Sequence, residues 1–482
     1  MRNFFQKIFQ KQSGFSFLLV IVVTGFFLIF FSGMISLSLV QKKLYTQQVA
    51  KQQALHVAEA GVNYYVWRLA HNSQDFFDGH GDPGGINPPY GPYEHEFDIP
   101  NSDLKGFFSL MIHPPESGNN IVTIVSEGWL SSFPNARRTI EAKYGTLSLG
   151  NYSFLTNSDV WFGSKEKTVG RVHSNGGVRM DGLNDSLVTS ARDTYICSSS
   201  HACYSYNCPS SCEQIGASCR CPGVWGRGPD NNLWSYPVSV VDFESITFNI
   251  AEMKGHAQAD GYFFPKSSPG YHIIFKEDGS FDAYKINRLK SSLSQLDDDW
   301  NKDENISEQI DKEVFIGNYL IPDNGLIFIE DDVWVEGIIN GRATLVSAVL
   351  PGNENTHTTI HINDNLRYLE RDGVSILGLI AQKNIKVPFH APSNLTIDAV
   401  MLAQYGRVFR NQYKDQVIKE KIEVFGSIIT NKIWTWTWVD NFGLAIDGYR
   451  ETNSIYDPRM NDISPPFFPT LGSHQLVSWR EY

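Results

Sequence analysis

The chain has 482 residues, 42% hydrophobic, 13% aromatic and 19% charged, which allows two or three domains with buried cores and excludes disordered and collagen-like classes. Forty Lys and Arg against 52 Asp and Glu give a net charge of -12, so no basic face for a phosphate backbone is expected, and nucleic acid is not an expected partner. All six cysteines fall between Cys197 and Cys221, and the long apolar run lies at Phe15 to Val40.

The segment from Met1 to Gly14 carries Arg2, Lys7 and Lys11, contains no acid, and ends in K-Q-S-G. The run that follows is uncharged through Val40. A hydrocarbon core needs roughly 20 apolar residues, whereas a secretory signal has an apolar core of ~7–15 followed by a small-residue cleavage site. Here the small residues precede the run. The basic leader favours a cytoplasmic start, with a narrow bias because Lys42 and Lys43 follow on the far side. No Pro interrupts the sequence as far as His71, and Leu55, Ala58, Val62, Tyr65 and Leu69 recur at helical steps on one face. One helix from Phe15 to His71 would be about 85 Å long at 1.5 Å per residue.

A basic leader ending in Gly14, then Phe15, then a long apolar helix resembles the class III signal of type IV pilins and type II secretion pseudopilins. The string A-L-H-V-A-E-A-G-V-N-Y at Ala54 to Tyr64 resembles the PilX-type N-terminal region of minor pilins, and the likeness covers residues 11–72. The resemblance implies that a prepilin peptidase cuts between Gly14 and Phe15 and methylates Phe15. It also implies residence in the inner membrane through Phe15–Val40 with the head outside the cytoplasm, then passage to a pilus at the cell surface. The implied partners are other pilin subunits and the assembly machinery. Major pilins carry Glu at the fifth mature position, which is Leu19 here. A carboxylate without its partner amine is costly in an apolar filament core, so Leu19 and a bulky head predict a tip or initiating minor subunit. The alternative is a membrane-anchored adhesin or polysaccharide-active enzyme outside any filament.

Turn formers from Ser73 to Pro100 predict a loop. Runs at Gly106–His113, Asn120–Leu130 and Arg137–Tyr144 predict an antiparallel meander, giving a small pilin-like module over 73–146. The expected fold class is mainly β with a long N-terminal α-helix. In the head, 147–482, β-rich runs start at Gly325, Gly378, Ala399 and Gly426, with a related fragment at Val169–Met180. Ala-Gln recurs at Ala381 and Ala403, and spacings of this kind predict coils of a parallel β-solenoid; a β-sandwich is the competing architecture.

Cys197, Cys203, Cys208, Cys212, Cys219 and Cys221 lie in a stretch, 196–237, too poor in apolar residues to build a core. Three disulfides in an oxidising compartment are expected, with pairing open; zinc is the rival, without paired C-x2-C knuckles. Asp297, Asp299, Asn301, Asp303, Asn305 and Glu308 match positions 1, 3, 5, 7, 9 and 12 of an EF-hand-like calcium loop. Lys302 replaces the turn Gly, and a solvated acidic loop is the other reading. No cofactor besides calcium is in view. The sequence has no H-E-x-x-H, Walker or dinucleotide motif, so no catalytic residue is assigned and no enzyme is expected. Trp434, Trp436 and Trp438 alternate at strand period, which makes them either a sugar-stacking face or a packed ladder.

Overall fold

The computed structural model describes residues 13–482 apart from 83, 86, 101–103, 116–119, 165, 198–211, 217, 244–245, 268, 292, 298–299, 441–443 and 462. The chain divides into two compact units: Met1–Pro114 with Ile121–Gly145 and Leu476–Tyr482, and Pro115–Asn120 with Thr146–Gln475.

In the first unit a single helix, α1, runs Ser13–His71. It ends where Asn72 and Ser73 begin the polar, turn-forming stretch. Strands β1 (Tyr90–Asp98), β2 (Lys105–His113), β3 (Val122–Leu130) and β4 (Phe133–Ser148) pair antiparallel in sequence order. β1 lies in the segment read as loop. Pro92 lacks a backbone N–H and masks the strand pattern, but β1 is an edge strand, where a Pro is tolerated. The chain's last strand, Thr470–Glu481, joins the other edge beside β4. The final residues therefore leave the head to which the sequence reading assigned them.

The second unit is predominantly β with mixed pairing. Strands Leu326–Ile329, Arg342–Ser347, Ile376–Ala381, Asn394–Ala403 and Ile418–Thr430 pair in parallel, each with the next. Ile418–Thr430 then pairs with Tyr152–Thr156, which continues to Arg171–Ser174, Val188–Ser190 and Trp234–Ser235. A second parallel series runs through Gly270–Phe275, Val333–Ile339, Ile360–Tyr368, Ile385–Lys386 and Val408–Phe409. Antiparallel pairing enters where Ser280–Leu289 joins Gly270–Phe275 and Ile310–Leu320.

Ala381 and Ala403 stand opposite each other, and the column continues through Thr430, Thr156 and Ser174. At the next position along each strand, amides knit neighbouring turns: Asn175 Nδ2 donates to Asn157 Oδ1 at 2.7 Å and Asn431 Nδ2 to the Gln404 carbonyl at 2.9 Å. These strands are buried on both faces, which accounts for continuous apolar runs such as I-L-G-L-I-A. One face packs around Val335, Leu345, Leu379 and Met401. The other packs against helix α2 (Ile246–Asp260), which presents Ile246, Ile250, Met253 and Ala257 at helical spacing.

Candidate membrane and assembly interface

The N-terminal half of α1 sets the chemistry of this surface. From Phe17 to Val40 no side chain is buried, and Phe17, Phe26, Leu28 and Ile29 are between 67% and 73% exposed. By length and composition this one helix is able to cross a membrane. So large a bare apolar surface is unfavourable in water and marks contact with lipid or with other apolar surfaces. Gly14 and Phe15 lie within α1, whereas most of the leader, residues 1–12, is outside the described residues.

The C-terminal half of α1 is built differently. Ala50, Val57, Ala58, Val62, Tyr65 and Leu69 form a buried stripe against Phe108, Leu110, Ile124, Ile140 and Ala142 of the sheet, and Ala54 is buried within the same stretch. Leu55 is only partly buried, and Ala54 takes the central place. Gly128 of β3 explains this choice: a Cβ there would run into the backbone of Ala54 and Ala58. Small residues on both sides let helix and strand approach closely, and Gly61 does the same beside Ser126 and Phe108.

The end of α1 is clasped by polar groups. Arg68 Nη2 bonds Asp75 Oδ2 at 2.6 Å, and the Tyr65 hydroxyl donates to the Asp75 carbonyl at 2.8 Å. Asp78, itself buried, accepts from the Tyr64 hydroxyl at 3.0 Å and pairs with His95 Nε2 at 2.7 Å. Burial works against the Asp75 carboxylate, but the Gly79 amide and Arg68 together hold its pKa below the usual range. Spacing alone carries the apolar stripe; the clasp leaves no sequence signal because its partners come from the following loop and from β1.

In the head, disulfides join Cys197 to Cys221 and Cys212 to Cys219. The first ties strand Thr194–Cys197 to strand Ser218–Pro222. Cys203 and Cys208 lie outside the described residues. Of the calcium candidates, Asp299 is also outside them. Asp297 Oδ1 accepts from the Asn301 amide at 2.7 Å. Asp303 and Asn305 belong to strand Asp303–Ile306, and Asp303 pairs with Lys414 Nζ at 2.8 Å.

Glu308 turns into the interior, 1% exposed. It meets Lys386 Nζ at 2.9 Å and accepts from the Tyr413 hydroxyl at 2.5 Å and the Phe389 amide at 2.7 Å. Burial alone would raise its pKa, yet Lys386, with the Tyr413 hydrogen bond, holds it at about 2. Among the described residues no group of three or more His, Cys, Asp or Glu is placed to hold a metal. Of the tryptophans, Trp436 is buried and the other two are half-buried: Trp434 stacks on Phe154 with centroids 5.2 Å apart, and Trp438 meets Trp300 edge-on at 4.9 Å. These contacts are those of a packed ladder.

No protein-family model matches the sequence, and neither does any curated protein. Among solved structures, the competence-associated pilin ComZ from Thermus thermophilus aligns over 90% of this chain and 97% of its own, at 14% identity and a TM-score of 0.27. So loose a superposition carries no argument about what this chain does.

Proposed function

We propose that the chain is a minor, pilin-like subunit of a type IV pilus or a related type II secretion filament, with no catalytic activity of its own. The observation that carries this reading is the division of α1 into a bare apolar half and a half laid by an apolar stripe on an antiparallel sheet. The first half serves the membrane before assembly and other subunits' helices afterwards; the second anchors the helix to the rest of its unit. The Gly14–Phe15 junction supplies the processing site, and Leu19 in place of an acid fits a subunit at the tip. The large head, read as β-solenoid-like coils built on the two parallel series, presents the surface used for initiation or adhesion. The Cys-rich loop fits a head outside the cytoplasm. Shearing filaments from the producing cells and probing them for this chain tests the reading. Co-sedimentation with filaments is expected; quantitative retention in the membrane fraction while filaments are released would contradict it.

A further inference from the structure

Beyond the C-terminal end of α2 lies a cleft of about 910 Å³ whose lining includes His256, Asp260, Tyr262, Leu320, Asp323 and Phe467. Part of its wall is apolar and aromatic: Leu320 is 67% exposed, Ile321 and Pro322 continue beside it, and the Phe467 ring packs on His256 with centroids 4.7 Å apart. Its charge has one sign. Asp260 and Asp323 are exposed, and neither has a side-chain partner among the described residues. Among the described residues no Lys or Arg lines the cleft, and the last turn of α2 holds no basic residue, so the partial negative charge of the helix's carbonyl end adds to the two carboxylates.

We propose that this cleft docks a basic, partly apolar segment of a partner protein. A Lys or Arg of that segment faces Asp260 and Asp323 while a neighbouring apolar side chain lies against Leu320 and Phe467. The pairing of apolar wall and uncompensated acid selects this chemistry. A phosphate-bearing ligand would be repelled, and two carboxylates beside aromatic rings make a poor cage for a hard cation, which takes six or more oxygen ligands. The proposal lies wholly within the head unit and does not depend on the filament reading.

The test uses the full chain in uncharged detergent and a fluorescein-labelled peptide of alternating Leu and Arg, with the Leu and Glu peptide beside it, read by anisotropy at low salt. The Arg peptide is expected to bind and the Glu peptide not. D260N/D323N is expected to weaken binding about tenfold, with the difference shrinking as salt is added. L320S, which keeps both charges, is expected to weaken it about fivefold. Neutralising two exposed acids elsewhere, with E277Q/E354Q, is expected to leave affinity within about twofold. Failure of the Arg peptide to bind, equal binding of the Glu peptide, unchanged affinity in D260N/D323N or L320S, or an equal loss in E277Q/E354Q would each overturn the proposal.

Discussion

Gly128 occupies a place where the backbone of α1 leaves no room for a side chain. Because its would-be contacts are backbone atoms, they cannot rotate away as a side chain would. Gly128→Ala is therefore expected to lower stability by about 1–3 kcal/mol, the range of overpacking. Hydrogen exchange should show faster opening of α1 around Ala54–Ala58, and unchanged protection there would refute the close-approach argument. The buried pair in the head acts through charge. The Glu308 carboxyl sits at about 2, below its ordinary value near 4.5. Its stabilising contribution is thus fully present above that ordinary value and is lost as pH falls through the folded one. Lys386→Met would leave the carboxylate buried without its cation, at a cost of about 3–5 kcal/mol near neutral pH. Burial would then push the Glu308 pKa up, so the loss should be smaller at pH 4 than at pH 7 by about 2–3 kcal/mol. Urea unfolding at both pH values checks this, and an equal loss at each would count against the assigned charge state. Glu308 was legible only as an oxygen ligand in an acidic register; its real partners come from residues 386–413, and spacing carries no trace of them.

At the scale of elements, α1 was readable from end to end because its signals are local: an uncharged run, then apolar residues at steps of three and four, then turn formers. The edge strand β1 was hidden by Pro92. Helix α2 is hard to read although Ile246, Ile250, Met253 and Ala257 carry helical spacing, since a helix of this length between β-rich stretches lacks the long signal that makes α1 plain. The runs from Gly325 to Gly426 announced strands, but their order could not be read. Ile418–Thr430 pairs with Tyr152–Thr156, and parallel pairing between distant segments leaves no turn signature at either end. The Cys-rich loop was legible as cross-linked but not in its connectivity. For the Cys197–Cys221 bond, replacing both residues by Ser is expected to cost about 2–4 kcal/mol, felt mainly by strands Thr194–Cys197 and Ser218–Pro222. Limited proteolysis should then cut between them several times faster than in the parent. Equal cutting rates would show that this bond does not hold the loop.

At the scale of the whole molecule, the chain has two compact units, the first of which carries the bare apolar half of α1. The apolar half of α1 is exposed and long enough to cross a membrane, a surface unfavourable in water. The head is large, mostly β and part of an acidic chain, and its cleft at α2 carries the two exposed carboxylates on which the proposed docking rests. What joins these parts into one account is the claim that the chain is processed and assembled as a pilin-like subunit. The most direct measurement is the mass of the mature N-terminal peptide from cells that contain an active prepilin peptidase. The account predicts a chain beginning at Phe15 with one added methyl on its amine; a chain that keeps Met1 to Gly14 would contradict it.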